Sequence, residues 1–378
     1  MKRILLLILL LVSSNAFATT PPRSLIQITS AHVPGQILQD EGLWKEREKV
    51  LKGIVHTLNY LKSNAAKEDY SSFSKTGLDL ETVEFSLRRF YQLLITSKNY
   101  DEFVTRVTEE FSLYQSIGHD GKGSIKFTGY FQPIYKASLV KTSEYKYPLF
   151  SKPEDFDSWS LPHPTRVALE GIDGLGQGNA LLKGKELAFL RNRYEAFMVH
   201  VQGSAILELP HGKRMAVGFA AGTQHPFRGV SGSFLREHNV AWNKLGDFFQ
   251  TRTALLDDVL SKNNRFIFFE KKPLPDALGS LGVPVIAERS IATDNVKLPP
   301  GAIGIIKTKL PSHDTGNLKE HSRIVLNLDT GSAIKGPGRV DVFMGTGKEA
   351  YRKASSVFGY GKLYYLFVKN GDQKIVQS

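Results

Sequence analysis

The chain has no cysteine in 378 residues. That excludes disulfides, thiolate nucleophiles, thiolate metal ligands and any lipid-modified cysteine within it. It also lacks an H-E-x-x-H helix, a G-x-S-x-G elbow and a P-loop. Its ten histidines do not cluster, and His163, His211 and His225 stand apart in loop-like sequence, so no metal site is expected. There is no internal repeat and no low-complexity tract. The Gly-x-Gly in Gly171–Gly178 has no strand feeding a helix around it, so it reads as a turn cluster, not a nucleotide loop. With 41% hydrophobic and 23% charged residues the chain is neither disordered nor fibrous.

What is present is length enough for two domains, or one large domain with insertions, and an excess of base. Lys and Arg outnumber Asp and Glu by 49 to 37, a formal net charge of +12. Such a balance favours anionic partners: nucleic acid, a membrane surface, or an acidic polymer such as cell wall. The N-terminus narrows the choice. Lys2 and Arg3 precede an apolar run, Ile4 to Val12, and then Ala16-Phe17-Ala18. The run is about half of the roughly 20 residues that a membrane span needs. It reads as a signal peptide over residues 1–18, with cleavage after Ala18. The expectation is an exported protein of the periplasm or cell envelope, or a secreted one, without a membrane anchor and without nucleic acid as its partner.

Residues 19 to about 120 read as mainly helical. Leu51, Ile54, Val55, Leu58 and Leu61 recur at helical spacing within Glu41–Lys62. Asp79 is placed to cap a second helix with the stripe Val83, Leu87, Phe90 and Leu94. A third helix is expected after Asp101, carrying Phe103, Val107, Phe111 and Tyr114. From Ile125 onward short alternating runs predict strands: Ser124–Phe131, Ala196–Gln202, Arg265–Phe269, Gly304–Thr308, Arg323–Asp329 and Val340–Phe343. Short helices are expected at about Gly184–Tyr194 and near Asn243–Lys262. The fold class is mainly β with N-terminal helices, a helical cap on a body of one or two barrels.

The remaining chemistry is that of carboxylates, the usual means of cutting glycosidic bonds. Asp341 lies between Val340 and Val342 in a strand-like run, so it points to the opposite face from both. Asp is a poor strand former and needs a reason to be there. One reason is a solvated edge, or pairing with Arg339 or Lys335; another is a reactive site. A general acid there would need a pKa above the ordinary value of about 3.9, which burial among apolar neighbours supplies. Gln202, Ser204, Thr128, Tyr130 and Ser290 carry groups suited to sugar hydroxyls and acetamides, and Gly203 is read as permitting close backbone approach.

Two C-terminal stretches carry a resemblance. They are Leu328-Asp329-Thr330-Gly331-Ser332-Ala333-Ile334-Lys335-Gly336 and Arg339-Val340-Asp341-Val342-Phe343-Met344-Gly345. Phe127–Pro133, Val199–Ser204, Asn264–Phe269, Leu281–Pro284, Arg289–Asp294 and Leu298–Gly301 agree in order. Together these blocks resemble the membrane-bound lytic murein transglycosylase A family. The resemblance implies a double-psi β-barrel interrupted by an inserted second β-domain, with a glycan groove between them. The implied division is a signal peptide at 1–18, N-terminal helices and the first part of the barrel at 19–138, the insert at 139–275, and the rest of the barrel at 276–378.

It also implies a reaction. The β-1,4 bond between N-acetylmuramic acid and N-acetylglucosamine of peptidoglycan is cleaved without water, leaving a 1,6-anhydro end. The position matching the family's single acid and base is Asp341, with Asp329 and Asp294 as supporting carboxylates. Substrate-binding residues would be Thr128, Tyr130, Gln202, Gly203, Ser204, Ser290, Lys335 and Gly336. No cofactor or metal is implied, the partner is the peptidoglycan glycan strand, and the protein is expected to be a monomer. Members are often lipoproteins, whereas this chain lacks the cysteine. The family's Tyr-Ala-Gly-x-Asn-Gly-x-Pro-Tyr block is altered here to Phe219-Ala220-Ala221-Gly222-Thr223-Gln224-His225-Pro226-Phe227, Ala205 replaces a common Gly, and Ser332 another. The alternatives are a non-catalytic wall-binding module on the same barrel, or a glycoside hydrolase with a second working carboxylate.

Overall fold

The computed structural model describes residues 24–29, 37–40, 42–71, 73, 78–274, 276–312 and 316–369. The expected signal peptide lies outside them. A short strand β1 (Leu25–Ile28) precedes four helices: α1 (Leu43–Leu61), α2 (Asn64–Tyr70), α3 (Leu80–Thr96) and α4 (Tyr100–Glu110). Helix α1 buries Leu43, Val50, Leu51, Ile54 and Leu61. Its Gly53 allows close approach to the body, because a Cβ there would come 2.4 Å from Ile286 Cδ1. Helix α3 begins as its sequence predicts: Asp79 accepts from Thr82 N at 2.9 Å, and Val83, Leu87, Phe90 and Leu94 are buried. The cap of α4 is Asn99, not Asp101. The helix also ends earlier than expected. From Phe111 the chain is strand β2 (Phe111–Ser116), where Phe111 and Leu113 are buried on alternate positions and pair with a later strand.

Strand β3 (Ile125–Gln132) opens the barrel, and the chain then leaves it for a second sheet. That sheet holds β4 (Ile134–Ser138), β5 (Tyr147–Phe150), β6 (Glu186–Leu190), β7 (Ser204–Glu208), β8 (Arg214–Gly222) and β9 (Ile267–Lys272). Their order is β5-β6-β4-β7-β8-β9. Around them lie α5 (Arg166–Glu170), α6 (Arg193–Gln202), α7 (Gly232–Glu237), α8 (Leu245–Gln250) and α9 (Thr253–Ser261). Ile134–Lys136 already pair in parallel with Ile206–Glu208, so the sheets part at Pro133 and not at residue 139.

Two expectations exchange places here. Ala196–Gln202 is the end of helix α6, not a strand, and the stretch expected to be helical contains strand β6. Asn192 caps α6 by accepting from Glu195 N at 2.8 Å, and left-handed Gly203 terminates it. The alternation of Phe197, Val199 and Val201 imitates a strand within those caps.

The chain returns to the barrel with β10 (Ser290–Ala292), β11 (Ile303–Pro311), β12 (Leu318–Asp329) and β13 (Arg339–Thr346), then α10 (Lys348–Ser356) and β14 (Phe358–Val368). The ring runs β14-β11-β12-β10-β13-β3 and closes by pairing β3 with β14, while β2 and β1 extend from β14. β10 runs parallel to β12 and β13 parallel to β3; the other ring pairs are antiparallel. This closed six-stranded ring, with N-terminal helices and a second β-domain, is the expected fold class. Val340 and Val342 are wholly buried with Ile291, Ile305, Leu326 and Phe127 in its core. Asp341 therefore projects to the other side of its strand.

Candidate active site

Register places the carboxylates. Asp341 on β13 is paired with Thr128 on β3 and with Ala292 on β10, and Ala292 is paired in turn with Asp329 at the end of β12. The two aspartates thus lie about two strand spacings apart, roughly 10 Å between Cα atoms. Asp341 keeps 19% of its side chain exposed. The Thr128 hydroxyl donates to its Oδ1, and Arg339 Nη2 lies 3.1 Å from the same oxygen. No described residue gives Oδ2 a hydrogen bond, so that oxygen is left for an incoming group. Burial raises the pKa of Asp341, the Arg339 charge opposes it, Asp329 raises it and Lys126 lowers it; the outcome is about 6. The pairing with Arg339 and the raised pKa coexist, because one ion pair does not offset the desolvation.

Asp329 is held differently. Its Oδ1 accepts from Ser280 N at 2.9 Å and Thr330 N at 2.8 Å, and its Oδ2 accepts from the Tyr130 hydroxyl at 2.8 Å. Burial raises its pKa, while the Tyr130, Ser280 and Thr330 hydrogen bonds work the other way. Burial and the Asp329 charge push Tyr130 far above the usual phenol range, so it stays protonated and donates. Its ring packs on Phe343, with centroids 5.2 Å apart. Gly279 lets the chain before Ser280 meet β12: a Cβ there would lie 2.3 Å from the Leu328 carbonyl oxygen.

The other sequence-predicted residues divide. Asp294 is a staple: it accepts from Gly336 N at 2.7 Å and from Val296 N at 3.2 Å, anchoring the turn after β12. Lys335 of that turn is exposed, and Gly336 has φ 75°. Gln202 accepts from Phe131 N at 3.1 Å, so its amide oxygen ties insert to barrel. Gly203 is needed for its φ of 76° and not for close approach, since a Cβ there meets nothing within 4 Å. Ser204 opens β7 opposite Gly218. Ser290 is wholly buried and accepts from Ile286 N at 2.8 Å, which places it in the barrel wall away from the exposed face.

Sequence reasoning missed Lys126, Phe358 and Tyr360. Lys126 is two residues before Thr128 on the same strand, so strand alternation alone would have put it beside the site. Phe358 and Tyr360 join it only through the pairing of β14 with β3. The altered block after Phe219 is built into the insert: His163 Nδ1 accepts from Gln224 N, His225 Nε2 lies 2.7 Å from the His163 carbonyl, and Arg265 donates to the Thr223 and His225 carbonyls.

A cavity of about 860 Å³ lies at the junction of barrel and insert, walled by Tyr135, Tyr194, Glu195, Phe249 and Tyr351 among others. Neither Asp341 nor Asp329 lines it. The cavity and the aspartates are therefore in different places, and the aspartates mark the candidate site: a carboxyl with a pKa of about 6, oriented through one oxygen.

Residues 126–270 match the MltA specific insert domain, and residues 289–367 match the 3D domain. The chain is 25% identical over 272 residues to membrane-bound lytic murein transglycosylase A of Escherichia coli strain K12, an alignment covering 69% of this chain and 71% of that protein. Among solved structures, a membrane-bound lytic murein transglycosylase from Agrobacterium tumefaciens shares the fold with a TM-score of 0.70 at 22% identity, over 93% of this chain and 99% of the other. The E. coli MltA structure with bound chitohexaose matches with a TM-score of 0.68 at 19% identity, over 92% and 95%. The insert match, the barrel match and the common fold come from one family: this chain belongs to the membrane-bound lytic murein transglycosylase A family.

Proposed function

We propose that this protein is a lytic transglycosylase of peptidoglycan, acting in the cell envelope on the MurNAc-GlcNAc bond, with Asp341 as its single acid and base. The observation that carries the reading is the state of Asp341: one oxygen held by Thr128 beside Arg339, the other free, and a pKa of about 6. Protonated Asp341 gives its proton to the glycosidic oxygen as the C1–O bond breaks. The resulting carboxylate then takes the proton of the muramyl C6 hydroxyl, whose oxygen bonds to C1 and closes the 1,6-anhydro ring. The acid is regenerated and no water is consumed.

Positioned proton transfer of this kind is worth about 10²–10⁴ in rate. Binding of the distorted sugar and stabilisation of positive charge at C1 supply the remainder. The three donors on Asp329 favour a supporting role for it, since a carboxylate whose oxygens are so occupied is a poor nucleophile or base. That supports one working carboxylate over the two of a hydrolase. Asp294 and Gly336 set the adjoining turn, and Gln202 ties the insert to the strand that carries Thr128 and Tyr130. The relative solved with chitohexaose makes a β-1,4 amino-sugar chain a fitting ligand for this site.

The test is mass spectrometry of sacculi digested with the mature protein, beside Asp341→Asn. Anhydro-muropeptides from the wild type and none from the variant are expected. Reducing ends carrying oxygen from labelled water would make the protein a hydrolase. Wall binding with no product would make it a binding module.

A further inference from the structure

The outer face of the barrel continues past Asp341 in register. Phe358 is paired with Thr128, which is paired with Asp341; Tyr360 is paired with Lys126, which is paired with Arg339. Residues directly opposite on neighbouring strands share a face, so these six side chains form one surface three strands wide. Phe358 and Tyr360 are each 62% exposed, although aromatic rings on a barrel wall are ordinarily covered. The Lys126 ammonium sits 5.3 Å from the centre of the Phe358 ring, and His119 packs on Tyr360 at 5.7 Å. Arg339 uses one nitrogen toward Asp341, while its Nη1 is covered by protein and has no hydrogen-bond partner. The guanidinium is thus only partly used within the protein, and its partly exposed side chain suits a carboxylate of a ligand. Asp120, in the adjoining loop, accepts from Lys122 N at 2.9 Å and Ser124 N at 3.0 Å, which turns its carboxylate toward its own loop.

We propose that Lys126, Arg339, Phe358 and Tyr360 form a ledge that recognises the acidic peptide carried by the muramyl unit next to the cleaved bond. The rings take the apolar face of the sugar and the two cations take carboxylates of its peptide stem. The proposal rests on the lytic reading of Asp341 for the direction of the glycan. Its argument is charge complementarity and continuity with the acid: two strand spacings, about 10 Å, separate Phe358 from Asp341, the reach of the next sugars along the chain. The occupant is thus an anionic glycopeptide, not a neutral polysaccharide.

The experiment measures binding to the full chain carrying Asp341→Asn, with two probes of equal length: a soluble GlcNAc-MurNAc tetrasaccharide bearing its peptide stems, and neutral chitotetraose. The stem-bearing probe is expected to bind about tenfold tighter at low salt, with the advantage shrinking as salt rises. Lys126→Gln with Arg339→Gln should bring the two affinities together. Phe358→Ser and Tyr360→Ser, at exposed positions that leave the core intact, should weaken the stem-bearing probe several-fold. Equal affinity for the two probes, or a preference that survives the double Gln variant, overturns the ledge. A parallel digest of sacculi by the wild type keeps the two readings separate. Anhydro products without a binding preference leave the reaction standing and remove the ledge; a preference without anhydro products does the reverse.

Discussion

Among the described residues, two aspartate–arginine pairs that involve the barrel have the same kinds of partner and are built for opposite ends. Asp40 and Arg289 are both buried, and every oxygen of Asp40 is used: Arg289 Nη1 and Ile324 N donate to Oδ2, Arg289 Nη2 and Gly42 N to Oδ1. Arg289 Nε also donates to Glu46 at 2.9 Å. Burial works against the Arg289 charge, but Asp40 and Glu46 outweigh it and hold its pKa above the usual guanidinium value. That cluster ties the residues ahead of α1 to β12. Asp341 and Arg339 meet through a single nitrogen and a single oxygen at a partly open face, and there burial wins. A saturated pair is a strut; a half-satisfied one keeps a proton within reach of neutral pH. Saturation, not the identity of the residues, separates structure from chemistry.

Asp341→Asn should lower the release of anhydro-muropeptides by about 10²–10⁴, whereas variants of the Asp40 cluster should leave turnover per folded molecule nearly intact; rates on sacculi read both. Arg289→Met strands Asp40 and Glu46 and should cost about 3–5 kcal/mol of stability, seen in urea unfolding. Asp341→Asn should do the opposite. A carboxyl whose folded pKa is raised contributes most below its unfolded pKa and loses that contribution as pH climbs through about 6. The variant should therefore unfold like the wild type near pH 3 and be more stable by about 2–3 kcal/mol above pH 7.

Tyr130→Phe removes one of the three donors on Asp329 and should slow turnover about tenfold, the worth of one hydrogen bond to a charge. Smallest in stability is Arg339→Gln, within about 1 kcal/mol because the pair is single and partly solvated. Removing the charge that holds Asp341 down should move the alkaline limb of the pH–rate profile upward. A pH profile that does not move would show that Arg339 does not hold the Asp341 pKa down, whatever its part in the ledge.

Much of the fold was legible because it is local. Asp79 and its stripe announce α3, and Val340 and Val342 announce a buried strand whose Asp faces away. The same periodicities failed where two local signals compete: Phe197, Val199 and Val201 alternate like a strand, yet Asn192 and Gly203 make them a helix. Phe111 and Tyr114 fit a helical stripe until β2 finds β14. At the site, the resemblance of the C-terminal blocks singled out Asp341 and Asp329, and Thr128 and Tyr130 proved to be their hydrogen-bond partners. Ser290 could not be separated from them by sequence, since a buried serine and an exposed one are written alike.

The chain by itself narrowed the candidate chemistry, because without cysteine, clustered histidine or a phosphate loop the carboxylates stand out, and it determined where the strands alternate. Tertiary structure decided which carboxylate stays open. That choice depends on β3, β10, β12 and β13 arriving side by side from opposite ends of the chain. Burial then raises two aspartates together, and two of the three donors that fill Asp329, Tyr130 and Ser280, come from residues far away in sequence.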